Sequence, residues 1–289
     1  MDIKTYLYKY YQPSSAKTYL REINHFLAVN QAAQNLDYKS VLAYINQQRK
    51  HQKPASLHRI LQAIKKYYNY LIYIEQREDN PAQNIQIKDY YSKSYFDGKR
   101  LLNLEELDLL WTHFLNRKNR YTLLKNRNIS MLGLLLHQGL GSGEIKNLKP
   151  QNIDLEAGKV LVPKSNRLNS RQLKLNSSQI LPFYKYLKED RPKLINKGVT
   201  ALFINKLGNK EGGETLHYLL ETARPYFKPH KFNPKTIRMS VLARKFKEGL
   251  SLLEVQYFAG HQNPSSTERY KSSDLEQLKQ SILKYHPLA

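Results

Sequence analysis

The spacing of Leu57, Ile60, Leu61, Ile64, Tyr68 and Leu71 most constrains what this chain can fold into. Apolar residues three and four apart share one face of a helix, so this segment must bury that face against other helices. Arg59, Gln62, Lys65 and Lys66 fall away from the stripe and face outward. Upstream, Ser14 and Ser15 offer side-chain oxygens to cap a helix beginning near Ala16. Asn80-Pro81 ends the helical region, because proline restricts the residue before it to extended backbone. The first ninety residues therefore read as a module of short helices.

Residues 89–100 are polar, carry an Asp97-Gly98 turn and read as a linker between domains 1–88 and 101–289. The second domain opens with Asn103 as a helix cap and Glu105 and Glu106 in the first turn, where carboxylates complement the helix dipole. Met131 to Leu136 is a strongly apolar helix ending at Gly139. Lys159–Val162 and Gln172–Leu175 predict a hairpin, joined by a basic loop from Lys164 to Arg171. Helices follow over Ser177–Lys188, Glu214–Phe227, Pro234–Lys247 and Ser251–Ala259, with Gly249 as a C-terminal cap and Pro264 opening another. The expected fold class is mainly α, with one small antiparallel β-sheet in the second domain.

Charge then narrows the partners. The 47 Lys and Arg against 24 Asp and Glu give a net charge of +23. An excess of this size favours polyanions, and double-stranded DNA is the densest common one. Up to Asp89 there are 13 basic and 7 acidic residues, and 34 and 17 beyond it, so both domains are basic. No apolar run approaches the roughly 18 residues of a membrane span, so no membrane partner is expected. The N-terminus, Met1-Asp2-Ile3-Lys4, is not that of a signal peptide, and a cytoplasmic location is expected by elimination. The absence of cysteine removes disulfide frameworks and thiolate metal sites. No metal and no cofactor is expected. With 22 tyrosines, any one of them is ordinarily packing or surface, and a catalytic role needs context.

That context lies near the C-terminus, in Phe258-Ala259-Gly260-His261, then Pro264, then Thr267-Glu268-Arg269-Tyr270. Lys235-Thr236-Ile237-Arg238 stands upstream at a helix start, and Gln138-Gly139-Leu140-Gly141-Ser142-Gly143-Glu144-Ile145 earlier still. Together with the basic hairpin loop, these resemble the tyrosine recombinases, the family of phage integrases and Xer-type resolvases, over nearly the whole chain. The resemblance implies a helical, SAM-like core-binding domain followed by an α-rich catalytic domain, closing on DNA as a C-shaped clamp. It implies phosphoryl transfer without metal: a tyrosine attacks a DNA phosphate, leaving a 3′-phosphotyrosyl bond and a free 5′-hydroxyl. Tyr270, nine residues after His261, matches the nucleophile. Arg238 and His261 match phosphate ligands, Lys164 the general acid and Glu144 a buttressing carboxylate. Lys235 stands where most members have histidine, a position at which type IB topoisomerases also accept lysine. Arg59, Lys65, Lys66, Arg167 and Arg171 are the further candidates for DNA contact. The resemblance also implies a homo-tetramer on paired sites, with a helix from Leu275 to Leu283 docking on a neighbouring subunit. A separate arm-binding domain is not expected.

One departure is serious. The family pattern places its first catalytic arginine at position 141, which is glycine here. Loss of one preorganised phosphate donor costs about 10²–10³ in rate. Arg127 lies fourteen residues earlier, about 21 Å along a continuous helix, too far to substitute unless the helix breaks. Lys146, Arg167, Arg171 and Lys235 are the candidates to replace it. Three readings stay open: a site-specific recombinase, a recombinase-fold DNA-binding accessory protein with a weak or dead site, and a topoisomerase-like nicking-closing enzyme.

Overall fold

A computed structural model describes residues 1–87, 101–227 and 232–271. The expected linker at 89–100 and the expected helix from Leu275 to Leu283 lie outside the described residues. The chain divides into two compact units, Met1–Ser94 and Tyr95–Ala289.

The first unit is built from α1 (Ile3–Tyr10), α2 (Pro13–Val29), α3 (Tyr38–Arg49) and α4 (Pro54–Tyr73). Helix α2 begins earlier than the sequence predicts. Pro13 takes its first turn, where a missing N–H costs nothing, and Ser14 and Ser15 lie inside the helix. All six residues of the α4 stripe are buried, together with Ala63 and Tyr67. They pack on Ile23 and Phe26 of α2 and on Val41 and Ile45 of α3. Tyr68, fully buried, spends its hydroxyl on the carbonyl of Ala33 at 2.8 Å, as a buried polar group must.

In the second unit α5 (Leu104–Asn116) starts with the expected cap, a reciprocal box between Asn103 and Glu106. Helix α6 (Lys125–Leu136) is buried at every position from Ile129 to Leu136, which makes it the central helix of the core. Gly139, at φ 61°, turns the chain out of α6, and α7 (Ser142–Asn147) follows with Gly141 at its N-cap. Three short antiparallel strands come next, in the order β1 (Ile153–Asp154), β2 (Lys159–Val162), β3 (Arg171–Lys174). The hairpin was legible in the sequence; β1, only two residues long, was not.

Beyond the sheet run α8 (Ser177–Lys185), α9 (Arg191–Leu194), α10 (Thr215–Ala223), α11 (Pro234–Lys247) and α12 (Leu252–Ala259). The single helix expected over 177–188 is interrupted by a π-helical turn, Tyr186–Asp190. A last helix covers 265–271 of the described residues. Arg127 is buried in α6, where it pairs with Glu211 and donates to the carbonyl of Ile204 at 2.8 Å. It therefore braces the segment before α10 and is committed there.

Candidate active site

The site is assembled around the carboxylate of Glu144, the third residue of α7. Its Oε2 accepts the Gly141 N–H at 2.9 Å, closing the N-terminal turn of that helix. The same oxygen accepts Nη1 of Arg238 at 2.8 Å, and Oε1 accepts Nη1 of Arg171 at 2.7 Å. One carboxylate thus holds two guanidiniums. Arg238 sits in the first turns of α11, which Asn233 caps by accepting the Thr236 N–H at 3.0 Å. Arg238 also donates to the carbonyls of Gly139 at 2.6 Å and Ala259 at 2.7 Å, locking its fork between the ends of α6 and α12. Burial pulls this guanidinium below its ordinary pKa, and Glu144 opposes the shift.

Arg171 reaches the site from the sheet. It opens β3 opposite Val162, and strand alternation places it with Leu173 on the buried face. Its Nε donates to the Phe258 carbonyl at 2.7 Å. Its Nη2 is buried without a hydrogen-bond partner among the described residues.

Helix α12 ends at Gly260, whose φ of 73° is a left-handed cap. The turn delivers His261 beside both arginines. Its Nδ1 pairs with the Thr267 hydroxyl at 2.8 Å, which leaves Nε2 as the ring nitrogen open to a ligand. Burial, then Arg238 and then Arg171, push its pKa down to about 4, so the imidazole is neutral at physiological pH. Tyr270, on the 265–271 helix, stacks on His261 with ring centroids 6.1 Å apart. Burial raises the pKa of its phenol, while Arg238 and Arg269 act to lower it. A phenol, a neutral imidazole and a guanidinium thus share one half-buried place. That place can hold a phosphodiester and offer it an oxygen nucleophile.

A model of the phage integrase family matches residues 102–277, more than half of the chain. The chain belongs to the phage integrase family of tyrosine recombinases. It is 26% identical over 263 residues to tyrosine recombinase XerC of Oceanobacillus iheyensis, covering 88% of this chain and 82% of that protein. Tyrosine recombinase XerD of Staphylococcus aureus is 27% identical over 242 residues, covering 82% and 78%. Among solved structures, the XerH site-specific recombinase bound to palindromic difH substrate, a post-cleavage complex, superposes with a TM-score of 0.75. That alignment is 19% identical and covers 92% of this chain and 78% of that one.

The other candidate residues of this family member fall into three groups. Lys164 and Arg167 are exposed on the β2–β3 loop. The loop is fastened to the site by Asn169 N–H donating to the Gly260 carbonyl at 2.7 Å and by a bridge between Leu168 and His261. Lys235 is exposed one turn before Arg238 on α11, on the same side of the helix. In the first unit Arg59 pairs with Glu22 at 3.2 Å, and the Lys66 ammonium lies 5.2 Å from the Tyr11 ring centroid.

Two further candidates have contacts of their own within the protein. Lys65 donates to the carbonyls of Gln83 at 2.8 Å and Ile85 at 3.0 Å, so its ammonium fastens the chain after α4. Arg171, expected from the sequence as a DNA contact and as a candidate to replace the missing arginine, is enclosed. Its side chain is 0% exposed and belongs to the site's interior. The signal available in the sequence was period-two burial: Arg171 is in phase with Leu173, and the expected strand began one residue too late to show it.

Proposed function

We propose that this protein is a site-specific DNA recombinase that cuts and rejoins strands through a 3′-phosphotyrosyl bond to Tyr270. The observation that carries the reading is the convergence of Arg238, His261 and Tyr270 beside the Gly260 turn. The Tyr270 oxygen attacks the scissile phosphorus as its phenolic proton passes to solvent water at the half-exposed site. The phosphorus–oxygen bond to the 5′ side breaks, and Lys164, on a loop fastened next to His261, gives that oxygen its proton. Arg238 and the open nitrogen of His261 hold the non-bridging oxygens, and Lys235 adds charge at the same helix end. Glu144 keeps Arg238 in place. A second 5′-hydroxyl reverses the step on another strand, which conserves the bond energy. Arg167, with Arg59 and Lys66 in the first unit, contacts the backbone of the duplex. Synapsis of two sites calls for a tetramer.

The test is covalent trapping on a nicked suicide duplex, using a site that the protein itself selects from a random-sequence DNA pool. Wild type should yield an adduct that survives denaturation, and Tyr270→Phe should yield none while binding the site equally well. Gly141 favours the second reading, a DNA-binding accessory protein with a dead site. Tight binding with no adduct from either protein would decide for it.

A further inference from the structure

We propose that Arg171, a strand residue, supplies the second fixed positive charge of the phosphate pocket, and so takes over the work of a side chain that Gly141 lacks. The inference rests on the recombinase reading and deepens it.

Four observations converge. Arg171 and Arg238 share a single carboxylate, so the buried cluster of Glu144 and two guanidiniums carries one positive charge that no carboxylate among the described residues compensates. Leaving a cation buried and unbalanced is costly, and a fold keeps such a charge where an incoming anion completes it. Second, Arg171 Nη2 has no partner among the described residues although the side chain is fully enclosed. Third, position 141 faces the same carboxylate. A Cβ built on Gly141 would stand 3.6 Å from Glu144 Oε2, in open contact distance, so a side chain there would reach the group that Arg171 already occupies. Fourth, the charge of Arg171 acts on the site's chemistry, since it helps to hold His261 neutral.

Arg171 is enclosed and bonded to Glu144, so it acts through that carboxylate as a positioning and charge-supplying residue, not as a surface anchor. The alternatives for this duty are weaker. Arg127 is committed to Glu211, and Lys146, Arg167 and Lys235 are exposed.

The experiment compares wild type, Arg171→Gln, Arg171→Lys and the double variant Arg171→Gln with Gly141→Arg. Each is tested on the selected duplex with an ordinary scissile phosphodiester, and with a neutral methylphosphonate in its place. Arg171→Gln should cleave the phosphodiester roughly 10²-fold more slowly while binding the duplex normally, and its deficit should shrink to within about fivefold on the neutral linkage. The double variant should recover part of the loss, because the charge returns to the same carboxylate from position 141. An equal deficit on both linkages marks a merely structural role and overturns the proposal, as does full activity of Arg171→Gln on the phosphodiester. Should Arg171→Gln fail to bind DNA, Arg171→Lys decides. It keeps the charge and loses the fork, so activity within roughly tenfold of wild type supports the proposal and complete loss on both linkages overturns it. Absence of an adduct from wild type itself is a different failure: it removes the recombinase reading, and this inference with it.

Discussion

The guanidinium of Arg171 lies in the space that a side chain on Gly260 would need. A Cβ at position 260 would stand 2.9 Å from Arg171 Cζ and 3.1 Å from the Asn169 carbonyl oxygen. The glycine is also required by its own backbone, which is left-handed at φ 73°. Gly260 thus does two things at once: it ends α12 so that His261 turns toward the arginines, and it leaves room for the strand arginine to enter. The Gly-His pair of the sequence motif has a physical cause in this chain. Alanine at 260 should cost about 1–2 kcal/mol in urea denaturation from backbone strain alone. It should also lower cleavage about as far as Arg171→Gln does. Unchanged cleavage would mean that the place of Arg171 is set by other contacts.

His261 gives a pH prediction whose sign is fixed. Its pKa in the folded protein, about 4, lies below the value of 6.5 of an unhindered histidine, first through burial and then through Arg238 and Arg171. Between these values the unfolded chain binds the proton and the folded protein does not. The stability associated with neutral His261 is therefore complete above pH 6.5 and declines as the pH falls toward 4. An anion in the pocket offsets the two guanidiniums, so the pKa should rise on binding DNA. Histidine NMR should find the His261 ring unchanged from about pH 7.5 to 5.5 in the free protein, with its titration moved upward in the complex. A free-protein midpoint near 6.5 would contradict the enclosed, doubly cationic surroundings.

Glu144 is the only carboxylate among the described residues that meets either Arg171 or Arg238, and its side chain is 7% exposed. Glu144→Gln keeps the size and one acceptor but leaves two buried guanidiniums without a counter-charge. The expected loss of stability is about 3–5 kcal/mol, the cost of breaking a buried pair by removing one partner. Unlike the loss of an ordinary core contact, this one should be partly relieved by bound anion. The thermal midpoint of Glu144→Gln should therefore rise more than that of wild type when inorganic phosphate or duplex DNA is added. An equal rise in both proteins would show that the two guanidiniums are balanced by other means.

Much of this was legible in the sequence, and the limits were physical. The α4 stripe, the Asn103 cap and the span of α11 follow from periodicity and capping chemistry, which act within a few residues. Tyr270, His261, Arg238 and Glu144 came from a motif resemblance, and the fold brings all four together. Arg171 was left in the loop because the expected strand began at Gln172, so the alternation that buries Leu173 was not carried back two residues to it. Arg127 was set aside on helix geometry, but its pairing with Glu211, 84 residues later, is a tertiary contact that no local pattern encodes. The contacts of Lys65 were hidden for the same reason: nothing near it in sequence announces the carbonyls at 83 and 85 that it holds.

Lys164 offers the sharpest separation of roles within the site. It sits on an exposed loop fastened beside His261, where flexibility costs a proton donor little and reach is what the step requires. In the proposed role of general acid it would matter only when the departing 5′-oxygen needs a proton. Lys164→Ala should therefore cleave an ordinary linkage roughly 10²–10⁴-fold more slowly than wild type. Replacing the bridging 5′-oxygen with sulfur gives a leaving group that departs as a thiolate without protonation. On that linkage the variant should come within about tenfold of wild type, since the assisted proton transfer is no longer part of the barrier. Arg167→Ala, altering a neighbouring cation on the same loop, should show no such selective recovery, because a backbone contact serves both linkages alike. A deficit at Lys164 that persists unchanged on the sulfur linkage would reassign it to phosphate binding and leave the proton donor to be sought at Lys235.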